Sequence, residues 1–316
     1  MNRRLGIVMD PIQDIKIHKD SSFAMLLEAQ ARGWELYYME MSDLRLDTGN
    51  VLAKTRSLEV QDNRDNWFKL DHAAEINLNT LDVILMRKDP PFDMEYIYST
   101  YLLELVSEQG VLVVNQPDSL RDCNEKLFTA WFPQCCAPTL VSRNHADFIS
   151  FLQLHKSIVV KPLDGMGGRS IFTVRENDEN RNVILETMTL HEQRFAMAQK
   201  FIPEISQGDK RILLIDGHPV PYALARIPTA TDSRGNLAAG ARAEGVELSE
   251  RDHWICKQVG PALRERGLVF VGLDVIGDWL TEINVTSPTC IRELDAIYDL
   301  NISAELFDVI DNKIQA

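Results

Sequence analysis

Four short apolar runs, separated by segments of helical spacing, constrain the first part of this chain. Residues 5–9, 34–39, 82–86 and 111–114 read as buried strands. After the first, Ser21 or Ser22 is placed to cap a helix with Phe23, Leu26, Leu27 and Ala31 on one face, stopped by Gly33. After the third, Asp93 is placed to cap a helix carrying Met94, Ile97, Tyr98, Tyr101, Leu102 and Leu105, ended by Gly110. The apolar face of that helix fits either the core or an interface. Strands alternating with helices predict an α/β domain on a parallel sheet. Residues 42–80 are polar and irregular, and read as a long connection holding a hairpin or short helix.

The pattern then changes. Ser119 is placed to cap a helix through Phe132, with Lys126 on it. Residues 148–154 read as a short helix, and 157–174 as two strands around a glycine-rich turn. A strand over 196–202 breaks at Pro203. Asp216-Gly217 lies between the apolar runs 211–215 and 220–227, a strong hairpin signal. Residues 228–245, rich in Gly, Ala, Thr and Arg, read as a mobile loop. Ser249 opens a helix to Arg266, 268–273 and 279–285 are strands, and 302–315 closes the chain as a helix. The expected divisions are 1–122, 123–200 and 201–316: a parallel α/β domain, then two α+β lobes.

Composition removes several classes of function. Thirty-three basic against 47 acidic residues give a net charge of −14, with no excess to neutralise nucleic-acid phosphates or bind an anionic membrane. No apolar run is long enough to span a bilayer. The N-terminus has two arginines but no apolar h-region, so it does not read as a secretory signal. The five cysteines form no C-x-x-C pair. Even the adjacent Cys135-Cys136 reads best as two reduced thiols in a cytosolic protein.

Three constellations carry chemistry. Lys161 precedes Gly165, Gly167 and Gly168, and glycines there let the backbone present N–H groups to an anion. The order of residues is neither a Walker loop nor a dinucleotide fingerprint. Asp274, Glu282 and Asn284 supply hard oxygen donors, which suit Mg²⁺ or Mn²⁺. Glu282 and Asn284 share a strand face. Asp274 joins them if the turn holds an odd number of residues, such as Gly277-Asp278-Trp279. A two-residue turn would put Asp274 and Glu282 on opposite faces. The third set is Arg211, Arg226, Arg234 and Arg242, in a stretch that escapes the overall acidity and suits a phosphoryl-transfer site. Arg87 and Lys88 follow a strand end, where α/β sheets bind ligands. They read as an anchor for a carboxylate or as a solvated loop.

The order of these features resembles the ATP-grasp superfamily. Met9-Asp10-Pro11, the stretch from Met86 to Asp93, Ser119 to Leu127, Lys161 to Gly168, Arg234 to Gly240 and Thr281 to Arg292 are more specifically similar to the bacterial glutathione synthetase family. The resemblance implies an ATP-dependent ligase joining γ-glutamylcysteine to glycine through an acyl phosphate. It implies that Lys126, Lys161, Gly165, Gly167 and Gly168 hold ATP phosphates, with Arg211 among the ATP contacts. Gln199, Lys200, Phe201 and Ile202 would meet adenine, and Asp209 the ribose. Asp274, Glu282 and Asn284 would hold two Mg²⁺ (or Mn²⁺) ions. Arg226, Arg234 and Arg242 would serve the reacting groups; Arg87, Lys88, Ser287 and Arg292 would bind the peptide substrate. A cytoplasmic homotetramer is implied as well. Arg169, where the family tends to have a small residue, and Lys200 depart from the family pattern.

Overall fold

The computed structural model describes residues 2–165, 168–228 and 242–315. An eight-stranded N-terminal sheet holds β1 (Arg4–Val8), β2 (Glu35–Met39), β3 (Leu44–Asp47), β4 (Asn50–Val60), β5 (Phe68–Leu70), β6 (Ala74–Asn77), β7 (Val83–Met86) and β8 (Leu112–Val114). A four-stranded sheet holds β9 (Thr139–Ser142), β10 (Ser157–Pro162), β11 (Phe172–Arg175) and β12 (Ala196–Lys200). A five-stranded sheet holds β13 (Asp209–Ile215), β14 (His218–Ile227), β15 (Arg242–Glu247), β16 (Phe270–Ile276) and β17 (Trp279–Asn284). The helices are α1 (Ser21–Ala31), α2 (Met94–Glu108), α3 (Pro117–Asp122), α4 (His145–His155), α5 (Arg181–Thr189), α6 (Glu250–Glu265), α7 (Ile291–Tyr298) and α8 (Ile302–Gln315).

The expected parallel sheet is present as β2-β1-β7-β8. Residues 42–80 are more ordered than their polarity predicts. The long strand β4 pairs antiparallel with β2, β3, β5 and β6, so the sheet as a whole is mixed. The strand β4 alternates buried and exposed residues along most of its length, so no continuous apolar run marks it in the sequence.

Helix α1 is capped by Asp20, whose carboxylate accepts from Phe23 N–H at 2.7 Å, and not by Ser21 or Ser22. Both serines are buried in its first turn. Ser22 Oγ accepts from Arg87 Nε at 3.0 Å, and Ser21 Oγ from Ile291 N–H at 3.2 Å. The helix expected over 119–132 is two pieces. Pro117 starts α3 and the helix stops at Cys123; Lys126 then precedes a separate 3-10 turn, Leu127–Trp131. Helix α2 divides its apolar residues: Tyr96, Leu103 and Val106 are buried, whereas Met94, Tyr98 and Tyr101 are exposed. Of the loop expected over 228–245, residues 229–241 lie outside the described residues, and Arg242 onward forms strand β15, paired antiparallel with β14.

The four-stranded lobe has a core of its own, built from Phe148, Leu152, Ile158, Val160, Val174, Leu185 and Ala198. The other two sheets share their cores: Ile212, Leu273 and Ile283 cluster with Tyr96 and Leu120, and Leu213, Phe270 and Phe307 with Leu5 and Phe23. Helix α6 lies on the β13–β14 hairpin so closely that Gly260 abuts the Gly217 carbonyl, where a Cβ would have no room. Its first turn is fixed by the Ser249–Asp252 capping box. The buried Asp252 carboxylate also takes both of its 2.6 Å contacts from Lys210 Nζ.

Candidate active site

Strand alternation in the two lobes aims the polar residues into one cavity of about 350 Å³. In the four-stranded lobe, Val159 pairs with Thr173 on one side and Gln199 on the other, so all three share a face. They line the cavity, joined by Lys161 two residues along, while Ile158, Val160 and Val174 turn into the lobe's core. Lys200, Phe201, Ile202, Gly165 and Gly168 complete that wall. The apolar residues Ile171, Ile205 and Ile276 also line the cavity, Ile276 from β16.

The opposite wall belongs to the five-stranded sheet. Arg211 lies directly opposite Asp274, which lies directly opposite Glu282; Gly272 lies opposite Asn284. Asp209 lies opposite Arg226. Arg211 Nε donates to Asp274 Oδ1 at 2.5 Å, and Arg226 Nη2 stands 2.9 Å from Asp274 Oδ2 and 2.5 Å from Asp209 Oδ2. Gly272 has a structural reason to be glycine, because a Cβ there would meet the Arg211 side chain.

The hairpin that carries the acidic residues solves its register in an unexpected way. Its turn holds only Gly277 and Asp278, since Ile276 pairs with Trp279. That turn alone would separate Asp274 from Glu282. A bulge at Thr281 restores their pairing. The bulge residue is tied on both sides: its hydroxyl donates to Asp274 O at 3.1 Å and its carbonyl accepts from Lys161 Nζ at 3.2 Å.

The charges are held by one another. Burial works to raise the Asp274 pKa, but Arg211 and Arg226 outweigh it and hold the carboxyl below the ordinary carboxylate range. Burial pushes Asp209 up, with the nearby Asp274 and Glu282 adding to it and Arg226 opposing. Burial lowers Lys161, and Glu282 counteracts this. Lys126 Nζ and Lys161 Nζ stand 3.5 and 3.9 Å from Glu282 Oε1, and Lys126 also donates to the Gly165 carbonyl. Both lysines are buried, with Glu282 between them; Lys126 reaches the glycine turn, whereas Lys161 is held by the Thr281 carbonyl.

The oxygen donors fit a hard divalent cation. Two carboxylates and one amide share one face of the β16–β17 hairpin. Asn284 commits Nδ2 to Gly272 O at 3.1 Å, which leaves Oδ1 as the atom offered to a ligand. Among the described residues no group of three or more His, Cys, Asp or Glu could hold a metal, so the set depends on the amide and on oxygens from elsewhere.

Several expected site residues lie away from this cavity. Arg87 is buried behind it, donating to Ser22 Oγ and, at 2.8 Å, to Pro288 O; Ser287, which does line the cavity, donates to Arg87 O. Lys88 pairs with Asp10 at 2.7 Å, which joins the ends of β1 and β7. Arg292 is paired with Asp62 at 2.6 Å. Arg242 pairs with Ile227 across β14–β15, putting it on the sheet face opposite Arg226; its partner is Glu244 at 2.7 Å. Gly167 and Arg234 lie outside the described residues. Conversely, Glu125, Thr286, Thr289, Asp89 and Pro90 line the cavity without having been singled out. Glu125 stands beside Lys126 in the motif itself. The apolar lining residues left no signal, because cavity-facing and core-facing Ile and Val look alike in a strand.

Two α+β lobes facing each other across a cavity that gathers lysines, arginines and carboxylates define an ATP-grasp enzyme. The chain superposes on the ATP-grasp ligase PsnB, solved with its precursor peptide PsnA2 and AMPPNP, with a TM-score of 0.63 and 15% identity over 99% of this chain and 98% of that one. Residues 4–121 match the family described as "Prokaryotic glutathione synthetase, N-terminal domain", and residues 125–299 the one described as "Prokaryotic glutathione synthetase, ATP-grasp domain". The chain is 59% identical over 313 residues to the glutathione synthetase of Vibrio vulnificus (strain YJ016), covering 99% of this chain and 98% of that one. It is 59% identical over 312 residues to that of Escherichia coli O127:H6, covering 99% of both. The chain belongs to the prokaryotic glutathione synthetase family of ATP-dependent carboxylate–amine ligases.

Proposed function

We propose that the cavity activates the cysteinyl carboxylate of γ-glutamylcysteine with ATP and passes it to glycine. The carboxylate oxygen attacks the γ-phosphorus and ADP leaves. The glycine amine then attacks the acyl carbon, phosphate leaves with both C–O bonding electrons, and the amine loses a proton. The products are glutathione, ADP and phosphate. No side-chain nucleophile is needed, so positioning and electrostatics carry the rate. The observation that supports this most is the convergence of Lys161, Arg211 and Arg226 with Asp274, Glu282 and Asn284 around one cavity, with Lys126 Nζ standing 3.5 Å from Glu282 at its edge.

In this reading Lys126 and Lys161 hold the ATP phosphates beside Gly165, Gly167 and Gly168. The face of Val159, Thr173 and Gln199, with Lys200, Phe201 and Ile202, receives adenine, and Asp209 the ribose. Arg226 steadies the transferring phosphoryl group, and Arg234 belongs to the same task. Asp274, Glu282 and Asn284 would hold two Mg²⁺ ions, which would supply neutralisation of the phosphate charge. Arg211 and Arg226 supply the countercharge to Asp274 without them.

Arg87 and Ser287 shape the peptide end of the cavity. The domain divisions at 122/123 and 200/201 belong to this proposal; each sheet lies within one division. So does a cytoplasmic location, which the five buried free thiols support. Among the described residues no helix is long and apolar enough to cross a membrane. A homotetramer is part of the same reading, and light scattering on the purified protein measures it.

Phosphate release from ATP is the test, with γ-glutamylcysteine and glycine each omitted in turn. Release should require both substrates and Mg²⁺. Release without glycine, or with other amines in its place at equal efficiency, would overturn the assignment.

A further inference from the structure

Glu125 has the least expected connections in the cavity wall. One carboxylate oxygen, Oε1, accepts three hydrogen bonds: from Val285 N–H at 3.0 Å, Thr286 N–H at 3.2 Å and Thr286 Oγ1 at 2.8 Å. Its backbone carbonyl accepts a fourth, from Ile283 N–H at 2.8 Å. Residue 125 therefore grips the end of β17 on both sides of Asn284. The Val285 peptide is held from its other side as well. Its carbonyl accepts from Asn115 Nδ2 at 2.7 Å, and Asn115 also brackets Phe270 through N–H and C=O, at 2.9 and 2.8 Å.

The next residue after Glu125 is Lys126, whose ammonium faces Glu282. The grip thus fixes three groups relative to one another: Lys126 from its own segment, and Glu282 and Asn284 from β17. Val285 and Thr286 are buried, so their N–H groups have no water to turn to if the carboxylate is removed.

We infer that Glu125 is a positioning residue, which sets Lys126 against Glu282 and Asn284 by accepting hydrogen bonds from the end of β17. Its function is that of an acceptor, not of a metal ligand or a base. The inference rests on the proposed reading of the cavity as the ATP–Mg²⁺ site.

Two substitutions separate acceptor from charge. Glu125→Gln keeps an oxygen at Oε1 and discards the charge; Glu125→Ala discards both. Calorimetric titration with Mg²⁺ and AMPPNP reads binding without turnover, and steady-state kinetics read kcat and each KM. Glu125→Ala should weaken nucleotide binding about tenfold and lower kcat by a similar factor, the cost of leaving buried N–H groups unpaired. The KM for γ-glutamylcysteine should change less than about twofold, since Arg87 and Ser287 are untouched. Glu125→Gln should stay within about threefold of wild type in every quantity.

Wild-type behaviour of Glu125→Ala, or equal damage from Gln and Ala, would overturn the inference. If Glu125→Ala does not fold, Thr286→Val removes one of the three bonds. It should weaken nucleotide binding about two- to fivefold, and no change there overturns the inference equally. Should the wild type bind nucleotide but release no phosphate with both substrates, the functional reading fails while the binding comparison still decides Glu125.

Discussion

Asp274 and Glu282 face each other across β16 and β17 because a bulge at Thr281 corrects a two-residue turn. The same bulge points a carbonyl at Lys161. One extra residue therefore does two things: it places both carboxylates on the cavity face, and it ties the opposite lobe's lysine to the hairpin that carries them.

Glu282 is the carboxylate most open to both lysines and to a metal. Glu282→Gln keeps its shape and removes its charge. Turnover should fall by about 100-fold or more, the scale of removing one preorganised electrostatic partner. The circular dichroism spectrum and urea midpoint should stay close to wild type. Near-wild-type phosphate release from this variant would remove Glu282 from the site.

The low pKa of Asp274 makes a pH prediction with a definite sign. Below the ordinary carboxylate value of 3.8, an unfolded Asp274 takes up a proton while the folded one, held by two guanidinium groups, stays charged. The unfolded chain then binds more protons, so this contribution is full above that value and is lost as the pH falls. Asp274→Asn removes the titrating group. The acid limb of its stability curve should be shallower than wild type by up to about 1.4 kcal/mol per pH unit. Asp209 has the opposite sense, because its raised pKa lets folding take up a proton. Urea midpoints measured from pH 5 downward would show the difference, and parallel limbs would argue against the ion pair.

The pair of Lys210 with the fully buried Asp252 joins β13 to α6 on the side away from the cavity. Asp252→Ala also removes a capping-box partner. The variant should lose about 2–3 kcal/mol, because the partly buried Lys210 ammonium loses its carboxylate and the helix loses its cap together. A loss below about 1 kcal/mol in urea titration would mean that water replaces the partner.

Gly260→Ala tests the contact of α6 with the Gly217 carbonyl. In an exposed helix this change is favourable, since alanine is the better helix former. Here the methyl group runs into backbone, and the variant should lose about 1–3 kcal/mol. A rise in thermal midpoint would show that the hairpin yields.

Much of the fold was legible because local rules act alone in those segments. Asp93 caps α2 as expected, Ser249 forms its capping box, and Asp216-Gly217 turns the β13–β14 hairpin with both residues at positive φ. The misreadings have equally local causes. Ser21 and Ser22 were plausible caps, but tertiary partners took both hydroxyls and left the cap to Asp20. The polar strand β4 carried no apolar run to announce it.

For the site, the residue types were visible and their grouping was not. Lysines, arginines, glycines and hard oxygen donors in one order pointed to phosphate and metal chemistry. The net charge of −14 described the surface and gave no warning of the cationic groups inside. Which of those groups meet depended on register. A turn length read from sequence left Asp274 and Glu282 on the same face or on opposite faces, and only the bulge chose. The one-residue offset between β14 and β15 sends Arg242 to the face away from Arg226. Periodicity along a strand is set by the chain's own covalent geometry, so sequence determines it; pairing between strands is set by how turns, bulges and buried partners close together, and only the tertiary structure decides it.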